Sequence, residues 1–198
     1  MKKVLFALLL LVGVSLQAQE ISIIPKPAEM QIEEGEFSFN GKVVLCYPKI
    51  KDGGIDAVVD NFVREIKKTT GVKLVKDRLK DGLFLGWDVQ EVAKKGDAHI
   101  VLYVDEYMGK EAYRLSVTPK RINIAAATPA GFFYALQTLK QLMPRNVMAG
   151  VRDESVKEWR VPCVFIVDEP RFSWRGFMLD EGRHFYGKEE VKKIIDVM

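Results

Sequence analysis

The chain has 198 residues, of which 48% are hydrophobic and 29% charged, a globular composition that excludes a disordered or low-complexity chain. Lys and Arg number 30 against 27 Asp and Glu, and removing Lys2 and Lys3 with a leader leaves 28 against 27. No basic excess then points to nucleic acid or a membrane surface, and two Cys and two His are too few for an ordinary tetrahedral Cys/His zinc cluster.

The first segment reads as an address. Met1-Lys2-Lys3 is a short basic start, the run Val4 to Leu16 is apolar, and Gln17-Ala18-Gln19-Glu20 follows. This is the pattern of a secretory signal peptide over residues 1–18, cleaved after Ala18. The apolar run is shorter than the ~20 residues of a transmembrane helix, and nothing comparable follows, so no membrane span is expected after its removal. The expected location is periplasmic or extracellular. Such an oxidising compartment permits a disulfide between Cys46 and Cys163. Both, however, sit inside strand-like runs, which favours two independent buried thiols.

The middle of the chain, residues 20–150, reads as an α+β domain with a mostly antiparallel sheet and helices packed on it. Ile21 to Ile24 is a short apolar run closed by Pro25-Lys26-Pro27. Phe37-Ser38-Phe39 and Val43 to Tyr47 read as strands, with Asn40-Gly41 between them as a hairpin turn. Ile55, Val58, Val59, Phe62, Val63 and Ile66 recur at helical spacing up to Thr69-Thr70-Gly71. Strand-like runs follow at Val72–Val75, Leu83–Leu85 and Ile100–Val104. Tyr113–Val117 and Ile122–Ile124 alternate, with Pro119-Lys120-Arg121 as a second hairpin turn. Thr128-Pro129 then opens a helix with an N-cap and a proline in its first turn. Phe132, Phe133, Leu136, Leu139, Leu142 and Met143 form its apolar stripe, and Pro144 stops it. Arg145 to Arg160 is polar and reads as a linker or exposed loop.

The last segment carries the chemistry. Phe177-Met178-Leu179 reads as a strand core with Asp180 at its C-terminal end, and Lys188 to Ile195 begins an amphipathic helix. Strand, polar loop and helix make one βα unit, and charged residues at a strand's C-terminal end are where parallel α/β sites collect. Such a unit cannot bury its own faces, and Met198 falls inside the helical pattern without a cap, so the expectation is of an incomplete unit.

Two blocks of this sequence resemble one family. The run Arg175-Gly176-x-x-x-Asp180-x-x-Arg183-His184-Phe185 is similar to the first barrel strand of glycoside hydrolase family 20, the β-N-acetylhexosaminidases. Upstream, Ile24-Pro25-Lys26-Pro27, Glu111-Ala112-Tyr113-Arg114-Leu115 and Gly131 to Leu142 resemble the small non-catalytic α+β domain that precedes the barrel in that family. The resemblance implies that residues 165–198 start a (β/α)8 catalytic barrel, whose usual length of ~250 residues they do not supply.

It also implies a reaction. Family members remove terminal N-acetylglucosamine or N-acetylgalactosamine with retention, the substrate's own 2-acetamido oxygen acting as nucleophile. A Glu serves as general acid and base and a neighbouring Asp steadies the acetamido group. That Asp-Glu pair lies on the fourth barrel strand in the family, so no catalytic residue is expected in this chain, and the chain alone is expected to be inactive. Asp180-Glu181 stands in the first-strand motif and is not that pair. Asp105-Glu106 and Asp168-Glu169 read as solvated surface charges. The resemblance makes Arg175 a sugar-binding residue whose planar fork suits two adjacent hydroxyls, with Asp180, Arg183 and His184 as a polar network supporting it. His99 reads as structural or exposed. The expected partners are N-acetylhexosamine-terminated glycans, with no cofactor and no metal, and no His-Glu-x-x-His is present. The alternative is a complete, non-catalytic carbohydrate-binding or accessory module.

Overall fold

The computed structural model describes residues 21–50, 54–79 and 98–197. The leader expected over residues 1–18 and the strand expected at Leu83–Leu85 lie outside the described residues. Seven strands form one sheet: β1 (Glu29–Ser38), β2 (Val43–Tyr47), β3 (Leu74–Arg78), β4 (Ala98–Val104), β5 (Tyr113–Val117), β6 (Arg121–Ala126) and β7 (Arg160–Asp168). Among the described residues the helices are α1 (Gly54–Thr70), α2 (Pro129–Leu142), α3 (Arg145–Met148) and α4 (Lys188–Val197). Among the described residues no helix is long and apolar enough to cross a membrane.

The strand order is β1-β7-β5-β6-β4-β2-β3. The expectation of a mostly antiparallel sheet needs correction. The β1–β7, β7–β5 and β5–β6 pairs are antiparallel, but β6–β4, β4–β2 and β2–β3 are parallel. Helix α1 carries the chain from the end of β2 back to the start of β3 and so makes the β2–β3 pair parallel. The same topology overturns the first expected hairpin. Gly41 has the positive φ of +82° that its turn demands. Yet β1 is the edge strand beyond β7, while β2 lies between β4 and β3 at the other end of the sheet. The second hairpin does form: Thr118 N–H donates to the Arg121 carbonyl at 2.8 Å, and the Thr118 hydroxyl accepts from Arg121 N–H at 3.1 Å.

One face of the sheet packs against α1 and α2. Ile55, Val59, Phe62 and Ile66 of α1 and Phe132, Leu136 and Leu139 of α2 bury against Leu45, Ile100, Leu115, Ile124 and Ile166. All five residues of β2 are buried, as expected of a strand flanked by parallel neighbours. The polar stretch after α2 does not leave the domain. It holds α3 and the buried Trp159, whose carbonyl accepts from Phe39 N–H at 2.8 Å, and it leads into β7 between β1 and β5.

Two charges expected on the surface are tied in. Asp168 accepts the Tyr113 hydroxyl at 3.1 Å and Ala28 N–H at 3.0 Å, and the Tyr113 hydroxyl also meets Thr138 Oγ1 at 2.6 Å. Asp105 accepts Tyr107 N–H at 3.2 Å. His99, expected to be structural or exposed, is buried on β4.

Cys46 and Cys163 are free and buried. Four strand spacings separate β2 from β7, roughly 19 Å at about 4.8 Å each, well beyond disulfide reach. Burial pushes the Cys46 thiol from 9.0 up to about 11, with the Asp77 carboxylate adding to it.

α2 reaches the sheet closely because of one residue. A Cβ on Gly131 would lie 2.5 Å from the Ala112 carbonyl oxygen and 2.8 Å from the Ala126 Cβ. Backbone cannot yield there, so Gly131→Ala should destabilise the chain by about 1–3 kcal/mol; the urea midpoint of the purified domain measures this, and an unchanged midpoint would show that the helix can shift freely. Alkaline stability follows from Cys46. A thiol whose folded pKa is raised keeps its stabilising contribution below pH 9 and loses it as pH climbs through about 11. Cys46→Ala should therefore flatten the fall in unfolding free energy between pH 8.5 and 11, whatever its own baseline cost.

Candidate functional site

Between β7 and α4 the chain forms one turn at residues 181–183 and no helix or strand. The strand expected at Phe177-Met178-Leu179 is therefore not formed. A strand exists through hydrogen bonds to a neighbour, and among the described residues none lines up with this one. Phe177 and Met178 of this run face outward, Met178 92% exposed, and the nearby Trp174 is 84% exposed.

Arg175 is the anchored residue of this segment. Its Nη2 donates to Glu111 Oε1 at 2.6 Å and to the Tyr134 hydroxyl at 3.0 Å, while Nη1 donates to the Phe172 carbonyl. The Tyr134 hydroxyl in turn donates to Glu111 Oε1 at 3.3 Å. The guanidinium carbon lies 5.6 Å from the centroid of the Tyr134 ring, within cation–π range. The Glu111 bond raises the pKa of Arg175 further, so the guanidinium is permanently charged. Arg175 and Glu111 side chains are 44% and 29% exposed, which makes the ion pair a partly solvated one that water screens.

Each partner is placed by the fold. Glu111 leads into β5 from a turn in which Ala112 N–H donates to the Gly109 carbonyl at 3.1 Å. Tyr134 projects from α2, whose first turn is fixed by the Thr128 cap: its hydroxyl accepts Ala130 N–H at 3.2 Å and donates to the Lys110 carbonyl. Tyr113 of β5 stands opposite Asp168 of β7, so the chain leaving β7 emerges beside Glu111.

Asp180 and Arg183 meet. Asp180 Oδ1 accepts Gly182 N–H at 2.9 Å and Arg183 N–H at 3.1 Å, and Oδ2 pairs with Arg183 Nε at 2.8 Å. His184 is not joined to them; its ring packs edge-on against Tyr186 with centroids 4.6 Å apart. Glu181 accepts Tyr186 N–H at 3.1 Å. The Asp180-Glu181 carboxylates thus hold the loop on which they stand. Glu111 and Tyr134 were not among the site residues expected from sequence. The available signal was that both stand in the recognisable upstream blocks although neither belongs to the buried stripe. Among the described residues no cluster of His, Cys, Asp and Glu could hold a metal ion.

Two family models match the chain in succession. Residues 20–169 match glycosyl hydrolase family 20, domain 2, and residues 172–198 match the catalytic domain of the same family. The junction falls just after β7. A β-hexosaminidase of Porphyromonas gingivalis is 31% identical over 180 residues, 90% of this chain and 21% of that protein. A β-N-acetylhexosaminidase of Cellulomonas fimi is 28% identical over 90% of this chain and 32% of its own length. Among solved structures, Streptomyces plicatus N-acetyl-β-hexosaminidase in complex with Thio-NAglucal superposes with a TM-score of 0.65 at 28% identity, over 88% of this chain and 31% of that one. The β-N-acetylhexosaminidase of Bacteroides fragilis gives 0.59 at 30% identity over 88% and 30%. The chain therefore spans a third or less of the length of these relatives.

The Asp180 turn makes a local prediction. Asp180→Ala removes the acceptor of two backbone N–H groups, so amide exchange at Gly182 and Arg183 should speed up by roughly tenfold, the equivalent of about 1 kcal/mol. Hydrogen-exchange NMR reads this directly, and unchanged exchange at both amides would mean that the turn holds without the carboxylate.

Proposed function

The chain belongs to glycosyl hydrolase family 20, and from that premise we infer that it is the domain-2 portion and the opening of the catalytic domain of an exported β-N-acetylhexosaminidase. The observation that carries this reading is the succession of two family matches that abut after β7. The Arg175–His184 motif lies inside the second match. The substrates are glycans ending in N-acetylglucosamine or N-acetylgalactosamine. The relatives' names, β-hexosaminidase and β-N-acetylhexosaminidase, support that class.

The mechanism is the substrate-assisted, retaining one. The 2-acetamido oxygen attacks the anomeric carbon as a Glu protonates the departing glycosidic oxygen, and an adjacent Asp steadies the acetamido group. Neither residue is assigned within these 198 positions. What this chain contributes is Arg175, a permanent cation whose N–H groups hydrogen-bond the hydroxyls of the terminal sugar. Asp180 and Arg183 shape the loop after it. Export rests on the leader pattern of residues 1–18.

Kinetics on the full-length protein test this reading. It should hydrolyse an aryl N-acetyl-β-glucosaminide with retained anomeric configuration, whereas the purified 198-residue chain should not turn it over. Arg175→Ala in the full-length protein should lower kcat/KM by roughly 10- to 100-fold, since it leaves sugar hydroxyls without their charged donor. Turnover by the 198-residue chain would put the catalytic pair within it. A full-length protein that binds the sugar without cleaving it would make this an accessory module instead.

A further inference from the structure

A guanidinium has five N–H donors in a fixed plane. It grips two acceptors at once along either of two edges: Nε–H with one Nη2–H, or Nη1–H with the other Nη2–H. Every two-pronged grip therefore uses a hydrogen of Nη2. In Arg175, Nη2 already donates to both Glu111 Oε1 and the Tyr134 hydroxyl. Nη1 is further engaged by the Phe172 carbonyl. A ligand that grips either edge must therefore compete with these two acceptors for Nη2.

We propose that Glu111 and Tyr134 form a latch that competes with the sugar for Nη2 of Arg175. Binding of a terminal N-acetylhexosamine takes one Nη2–H away from the latch, and emptying of the site lets it close again. The proposal rests on the reading of Arg175 as a sugar-binding residue and adds to it a reason why the preceding domain touches the site. The latch is built for exchange. Its ion pair is partly solvated, and both of its acceptors stand on regular elements or their immediate ends, so they stay in place when Arg175 leaves. Tyr134 itself is kept in reach because its ring packs against Phe133 at 5.6 Å and its hydroxyl stays bonded to Glu111.

The sign of the effect separates a latch from a support. In the full-length protein, Tyr134→Phe frees one Nη2–H while keeping the ring. KM for 4-nitrophenyl N-acetyl-β-glucosaminide and the inhibition constant of N-acetylglucosamine should both fall, by about three- to tenfold, the range of one hydrogen bond no longer competing. Glu111→Gln, which weakens the other acceptor without changing its shape, should move both constants in the same direction. A lost packing contact cannot tighten sugar binding, so a modest fall in melting temperature does not mimic this result. If both constants rise or stay unchanged in Tyr134→Phe and Glu111→Gln while Arg175→Ala weakens binding, the latch is overturned and Arg175 remains a sugar ligand. If Arg175→Ala leaves both constants unchanged, the sugar-binding reading falls and the latch falls with it.

Discussion

The absence of one side chain, at Gly131, sets how close α2 comes to the sheet, and most of what is specific about this chain is attached to that contact. The helix backbone sits where a Cβ would collide with the Ala112 carbonyl oxygen and the Ala126 Cβ. At that distance Thr138 of α2 reaches the Tyr113 hydroxyl at 2.6 Å. On the same helix Gln141 exchanges two hydrogen bonds with the backbone of Ile24, at 2.8 and 3.0 Å. Lys140, otherwise a costly buried cation, meets Glu65 of α1 at 2.6 Å. Tyr134, three residues after Gly131, comes within reach of Glu111, just before Ala112.

The sheet's topology then decides where the second segment starts. Because β7 runs antiparallel to β5, its last residue lies opposite the first residue of β5. The chain that leaves β7 therefore emerges at the edge of the domain that carries Glu111. Seven residues beyond Asp168, Arg175 folds back onto Glu111 and Tyr134. Three sequence blocks that are far apart in the chain, around Ile24, around Glu111 and around Gly131, meet at one helix, and the fourth block is tethered to it.

The exposed apolar side chains between Phe172 and Tyr186 belong to the same picture. They stand in a segment with no strand neighbour among the described residues, and their exposure contrasts with the dry core under α1 and α2. Within that segment Arg175 bonds to the preceding domain through Glu111 and Tyr134.

Local patterns alone determined the parts of this protein whose physics is local. The two long helices, the Thr128 cap, the Gly71 end of α1 with φ +79° and the Pro119 hairpin were legible because periodicity, capping and turn chemistry act over a few residues. The two buried thiols were legible from the apolar runs around them. Tertiary structure decided the rest. The Asn40-Gly41 turn looks like a hairpin, but a turn fixes only the chain's direction, and which strands pair is settled by distant partners such as β7. The parallel half of the sheet depends on where α1 returns the chain, which no window of sequence contains. Asp168 reads as a surface charge until Tyr113, 55 residues away, is placed opposite it. Glu111 and Tyr134 meet Arg175 only through folding, because a guanidinium's hydrogen-bond partners are chosen by proximity in space, and sequence spacing does not encode that.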